Sequence, residues 1–105
     1  MEYIKVQKSL SANAMATYIY QIYGKPRMWF IDTPNYEIAT GTIAVRFFVI
    51  EPQTNQYIYG SGFFYINNNG AISFPDLPKK NWKIIVQVFS LVATSPCWGV
   101  LVYEV

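Results

Sequence analysis

The chain has 105 residues, of which 52% are hydrophobic and 13% charged, with a formal net charge of +2. That length fits one domain, 1–105, and the apolar excess excludes a disordered chain, which is poor in aromatics and rich in charge. So small a positive charge argues against a nucleic-acid binder with a concentrated basic face. The absence of histidine removes the commonest general base, the Ser-His and Cys-His pairs and most zinc sites.

The chain begins with Tyr3 to Leu10, where Ile4 and Val6 alternate with Lys5 and Gln7, as in an exposed or edge strand. Charges at Glu2, Lys5 and Lys8 interrupt the apolar stretch a secretory leader would need, so no signal peptide is expected. Ser11 to Tyr23 admits two readings. Ser11 can cap a helix with the stripe Ala12, Met15, Ile19 and Ile22, closed by Gly24 and Pro26. The run Thr17-Tyr18-Ile19-Tyr20-Gln21-Ile22-Tyr23 is rich in β-branched and aromatic residues, and favours a strand over Met15 to Tyr23.

Thr42 to Ile50 is apolar on both faces, with Ile43, Val45, Phe47 and Val49 on one and Ala44, Arg46, Phe48 and Ile50 on the other. It reads as a central strand ended by Pro52. Gln56 to Ile66 is a strand bent at Gly60-Ser61-Gly62, where paired glycines suit a bulge. A phosphate cradle would need a following helix with a Lys-Ser/Thr signature. Asn67 to Gly70 reads as a hairpin turn from which Ala71 to Phe74 returns, and Pro75 to Pro78 as a loop. The clearest strand is Asn81 to Phe89, with Trp82, Ile84, Val86 and Val88 on one face. Cys97 to Val105 is a last strand, interrupted by Gly99.

Short strands separated by Gly, Pro and Asn turns predict an all-β fold, an antiparallel β-sandwich of about eight short strands. Its expected core includes Ile43, Val45, Phe47, Ile84, Val86, Val88, Val100 and Val102. No apolar run approaches the roughly 20 residues of a membrane-spanning helix. Cys97 is the only cysteine, so no intrachain disulfide forms. It reads as a buried thiol in a protein made in a reducing cytoplasm.

No catalytic constellation emerges, and the chain is read as no enzyme, with no cofactor and no metal. Asp32 and Glu37, with Asn35, could meet around Pro34 to bind calcium. Asp32-Thr33-Pro34-Asn35 is more simply a β-turn. Lys79, Lys80 and Lys83 beside Trp82 read as a solvated loop before an anion contact. Function is therefore expected on a surface.

Two surface readings compete. Low charge and abundant Tyr, Phe and Trp suit a protein that packs against itself or other structural subunits, with Tyr18, Tyr20, Tyr57, Tyr59 and Tyr65 as candidate interface residues. The alternative is a lectin-like, carbohydrate-binding module in which Trp29, Tyr36, Trp82 and Trp98 stack on sugar rings and Asn35, Asn55 and Asn81 add hydrogen bonds. A third class, an OB-like nucleic-acid binder, would need basic residues among the aromatics, and Arg27 and Arg46 stand isolated.

The stretch Tyr23 to Pro52, YGKPRMWFIDTPNYEIATGTIAVRFFVIEP, sets an aromatic strand, a Thr-Pro turn and a Gly-Thr before a long two-sided apolar strand. In this pattern it resembles the closing strands of jelly-roll capsid proteins of small icosahedral viruses. The resemblance covers about 30 residues and implies a jelly-roll-like sandwich, a symmetric oligomer and a place in the virion. The chain is short for the usual shell domain and lacks a basic arm. The resemblance therefore implies a minor capsid, cementing, spike or protruding component.

Overall fold

A computed structural model describes residues 1–32, 42–66, 70–93 and 97–105. Among them eight strands form: β1 (Glu2–Lys8), β2 (Ala14–Asp32), β3 (Ile43–Glu51), β4 (Gln56–Gly60), β5 (Phe64–Ile66), β6 (Ala71–Ser73), β7 (Lys80–Ser90) and β8 (Cys97–Glu104). All pairings are antiparallel, in the order β1-β8-β2-β7-β3-β4, with β5 beside β3 and β6 beside β2. The all-β antiparallel class read from the sequence is the class observed.

The strands are not all short. β2 runs 19 residues and takes different partners along its length. Ala14–Gly24 pairs with β7, whereas Lys25–Asp32 pairs with β8, and Met28–Phe30 also with β6. The change of partner occurs at Gly24, whose φ is +148°, followed by Pro26 and a register shift between Pro26 and Met28. Glycine reaches that φ at low cost, and proline is tolerated where a bulge interrupts the ladder. The sheet thereby folds over on itself into a first arm, β2–β7–β3 with β4 and β5, and a second arm, β1–β8–β2 with β6.

One core fills the space between the arms. Ile43, Val45, Phe47 and Val49 of β3 and Trp82, Ile84, Val86 and Val88 of β7 are buried on one face of the first arm, as their period of two required. The Tyr18 ring meets Trp29 of the second arm edge-on at 5.5 Å, and Phe47 meets Phe74 at 4.8 Å. Gly99 sits inside an unbroken β8, contrary to the expected interruption. A Cβ there would lie 2.7 Å from the Tyr18 ring and 2.9 Å from Trp29, so the missing side chain is what lets both rings pack.

Three other expectations are corrected. Leu101 and Cys97 join the core, and Val102 lies on the opposite face of β8, half-buried; Val100 shares that face but is buried, as expected. β6 does not return against β5 but crosses to β2, pairing Ile72 with Trp29; the hairpin residues Asn67–Asn69 lie outside the described residues. The helix that Ser11 could cap does not form, and β2 begins at Ala14. Asn13 adopts φ +57° and donates its N–H to Ser90 O at 2.7 Å, directing the chain into β2.

The break after Gly60 is a bridged gap. Ser61 N–H donates to Phe47 O, and its hydroxyl accepts from Phe47 N–H, each at 2.9 Å, so β3 stays paired between β4 and β5.

Candidate functional site

The sequence-derived candidates separate by face. Tyr18 and Tyr20 are core residues rather than interface residues. Tyr20 donates its hydroxyl to Gly99 O at 2.7 Å and accepts from Trp29 Nε1 at 2.9 Å, so its polar end is satisfied in the interior. Tyr18 OH lies 4.0 Å from the buried Cys97 Sγ, which donates to Lys8 O at 3.5 Å. Trp29 and Trp82 are also buried, and Trp82 Nε1 donates to Pro78 O at 2.9 Å, so neither indole is open to a sugar ring. Tyr36, Asn35 and Glu37 lie outside the described residues. Tyr57, Tyr59, Tyr65 and Trp98 remain at the surface. Asn55, with φ +56°, shapes the β3–β4 turn.

Burial raises the pKa of both inner phenols. For Tyr18 the neighbouring Cys97 raises it further, and for Tyr20 the Trp29 hydrogen bond partly opposes the effect. A phenol of raised pKa keeps its proton in the fold while the unfolded chain gives it up near pH 10. Stability is therefore complete below about pH 10 and falls above it, by about 1.4 kcal/mol per pH unit for each phenol. Thermal melts from pH 8 to 12 should show a steep loss above pH 10, and Tyr18→Phe should flatten it. A melting temperature unchanged to pH 12 would contradict the buried placement.

The outward side of the first arm carries two apolar rows. The register aligns Met15, Phe89, Ala44 and Tyr65 in one row across β2, β7, β3 and β5, and Ile19, Ile85 and Phe48 in another. Ile19 is 53% exposed, Tyr65 65% and Tyr57 68%, and the Tyr57 ring packs edge-on to Phe48 at 5.7 Å. Between these rows Arg46 donates from Nε to Gln87 Oε1 at 2.6 Å. Its guanidinium lies 5.3 Å from the Phe48 ring centre and 4.6 Å from Phe63. Two rings and an amide thus hold a cation in one orientation within an apolar face.

Two smaller features flank it. A cleft of about 580 Å³ opens where β4 and β6 leave the two arms unjoined, lined by Phe47, Tyr59, Phe64 and Ile72 with the Gly60–Gly62 backbone. The bulge expected at Gly60-Ser61-Gly62 is instead the gap between β4 and β5, and the register shift of β4 lies opposite Val49 and Ile50. On the second arm Trp98, 37% exposed, stands in register with Asp32 of β2 and Gln7 of β1. The lysine cluster is partly engaged: Lys80 pairs with Glu51 at 3.3 Å and lies 4.9 Å from the Trp82 ring. Among the described residues no group of three His, Cys, Asp or Glu side chains could hold a metal ion. Nor do they form a helix long and apolar enough to cross a membrane.

The sequence signal for this surface was the two-sided apolar pattern of β3. Period alone did not show that β2 would add Met15, Ile19 and Tyr23 to the same side. The sequence matches no protein-family profile and no curated protein.

Proposed function

We propose that the protein is a non-enzymatic structural component that works by self-association, with the outward face of the first arm as its contact surface. The observation that carries this reading is the pair of apolar rows that crosses β2, β7 and β3, separated by Thr17, Gln87 and Arg46, with Ile19, Tyr57 and Tyr65 exposed on that side. Apolar side chains grouped in the open on one side of a protein mark an interaction surface, and aromatic residues with a held arginine are the composition of interface centres. The resemblance of residues 23–52 to capsid strands supports a virion as the particle joined, and in that setting the protein is a minor capsid or cementing piece.

The test is a charge placed on the face. Ile19→Lys should leave the melting temperature within a few degrees of the wild type, because Ile19 already faces water. It should lower the molar mass measured by light scattering to the 12.1 kDa of a single chain. An unchanged mass would remove this face from the contact.

One observation supports a carbohydrate-binding alternative. Trp98 is exposed, with a carboxylate and an amide in register beside it, which is the chemistry of a sugar-stacking platform. A glycan that quenches Trp98 fluorescence, and fails to bind Trp98→Ala, would favour it over assembly.

A further inference from the structure

The strand pairing leaves one long edge open. β2 meets β7 along Ala14–Gly24 on one side, and over residues 14–23 no described strand pairs with its other side. The direction of its backbone groups follows from β3. Phe47 turns both its N–H and its C=O to Ser61, away from β7. Backbone groups alternate sides along an antiparallel strand, so Val86, opposite Phe47, turns its own two groups to Tyr18 of β2. Tyr18 and every second residue of β2 are thus bonded to β7. The N–H and C=O of Met15, Thr17, Ile19, Gln21 and Tyr23 point to the open edge.

The other edges are guarded. β1 carries Glu2, Lys5 and Lys8, β4 shifts register between Val49 and Ile50, and β5 and β6 have 3 residues each. Residues 14–23 hold no charge, proline or glycine and keep one register with β7 throughout. Lysines, bulges and shortness keep natural edges from pairing, and an uncharged, β-rich edge is a template for another strand. Its outward side chains, Met15, Thr17, Ile19, Gln21 and Tyr23, read apolar, polar, apolar, polar, apolar, a palindrome about Ile19. Laid antiparallel on itself, the segment sets Ile19 beside Ile19, Thr17 beside Gln21 and Met15 beside Tyr23. Each is a hydrogen-bonded pair, since all these residues turn their backbone groups to the junction. Lys83, in register with Gln21, would lie three strand spacings from its copy, roughly 14 Å, beyond the Debye length of about 8–10 Å. Lys8 reaches across from the second arm to 5.8 Å from the Tyr18 ring centre, inside the edge rather than along it.

We infer that two copies join edge to edge through residues 14–23, as an antiparallel strand pair about a twofold axis at Ile19. This deepens the assembly reading and rests on it. The contact is isologous: the first arms of both copies become one continuous sheet, and their outward faces lie side by side across the junction.

Cysteine and proline variants test the inference. Ile19→Cys sets two thiols opposite each other, in a pair whose Cα atoms stand about 5.5 Å apart, within disulfide reach. Oxidised glutathione should convert this variant to a covalent dimer on a denaturing gel. In Met15→Cys the two thiols lie roughly 26 Å apart along the strands, and it should stay a single chain. The native Cys97 is buried and does not compete. Gln21→Pro removes an N–H from the open edge and sets a ring in the path of the second strand, while the bonds to β7 and the apolar rows remain. It should melt cooperatively and associate at least tenfold more weakly; the cysteine variants decide if it does not fold. No linkage in Ile19→Cys, or equal linkage in Met15→Cys, overturns the twofold register. Wild-type association of Gln21→Pro, where Ile19→Lys dissociates the protein, overturns the edge contact and leaves assembly through the face intact. A wild-type protein that stays at single-chain mass overturns both.

Discussion

Replacing Val86 by Asp should abolish folding. Val86 is fully buried at the centre of β7, with Tyr18 and Phe47 as its register partners on either side. An aspartate there must either stay ionised without a partner or remain protonated at neutral pH, and both cost several kcal/mol. A domain of this size is stable by only about 5–15 kcal/mol in total, so little or no native population survives. The expected result is insoluble protein, or soluble protein without a cooperative thermal transition. A lysine at Ile19, in the same ladder but facing outward, should leave a cooperative melt. A folded Val86→Asp protein would mean that β7 is displaced by one residue and that the two faces of the arm are exchanged.

Gly24→Ala should produce the second largest loss, without touching the hydrophobic core. Gly24 has φ +148°, and an added Cβ would fall on the carbonyl oxygen of Glu104, a backbone atom that cannot swing aside. A backbone at positive φ and a steric overlap each cost about 1–3 kcal/mol. The sum is on the order of 2–6 kcal/mol, or roughly 10 °C or more in melting temperature. Gly62 is the control: its φ is ordinary and a Cβ would meet nothing within 4 Å. Gly62→Ala should therefore be neutral or slightly stabilising, through the entropy of the unfolded chain. Equal melting temperatures for the two variants would show that β2 does not turn at Gly24.

That turn also marks the limit of what the sequence made legible. β3 and β7 could be read because each buries alternate residues against one core, and a period of two survives whatever the partner strand is. β2 could be read only in its first half. Gly24 and Pro26 carry the chemistry of chain breaks, and only the pairing of Lys25–Asp32 with β8 shows them to be a bend inside one strand. β8 was legible as a strand but not in orientation, since Val100, Leu101 and Val102 are apolar on both faces. The side is set by Gly99, which makes room for the rings of Tyr18 and Trp29.

The tyrosines show the same limit at the level of the site. Tyr20 and Tyr57 are chemically alike and both lie in strands. One is buried because its hydroxyl finds Gly99 O and Trp29 Nε1, and the other sits at the edge of the first arm against Phe48. Such partners are distant in sequence, and the turn at Gly24 brings them together. The cation between Phe48 and Phe63 was equally hidden. Arg46 reads as an isolated charge until the residues leading into β5 bring Phe63 to it beside Phe48 of its own strand.

Association through the outer faces of the sheet is the central claim. The most direct measurement is the molar mass of the purified wild-type protein by light scattering behind a sizing column, across a dilution series. A mass of several chains at high concentration is the predicted result. A mass of 12.1 kDa at every concentration would contradict it.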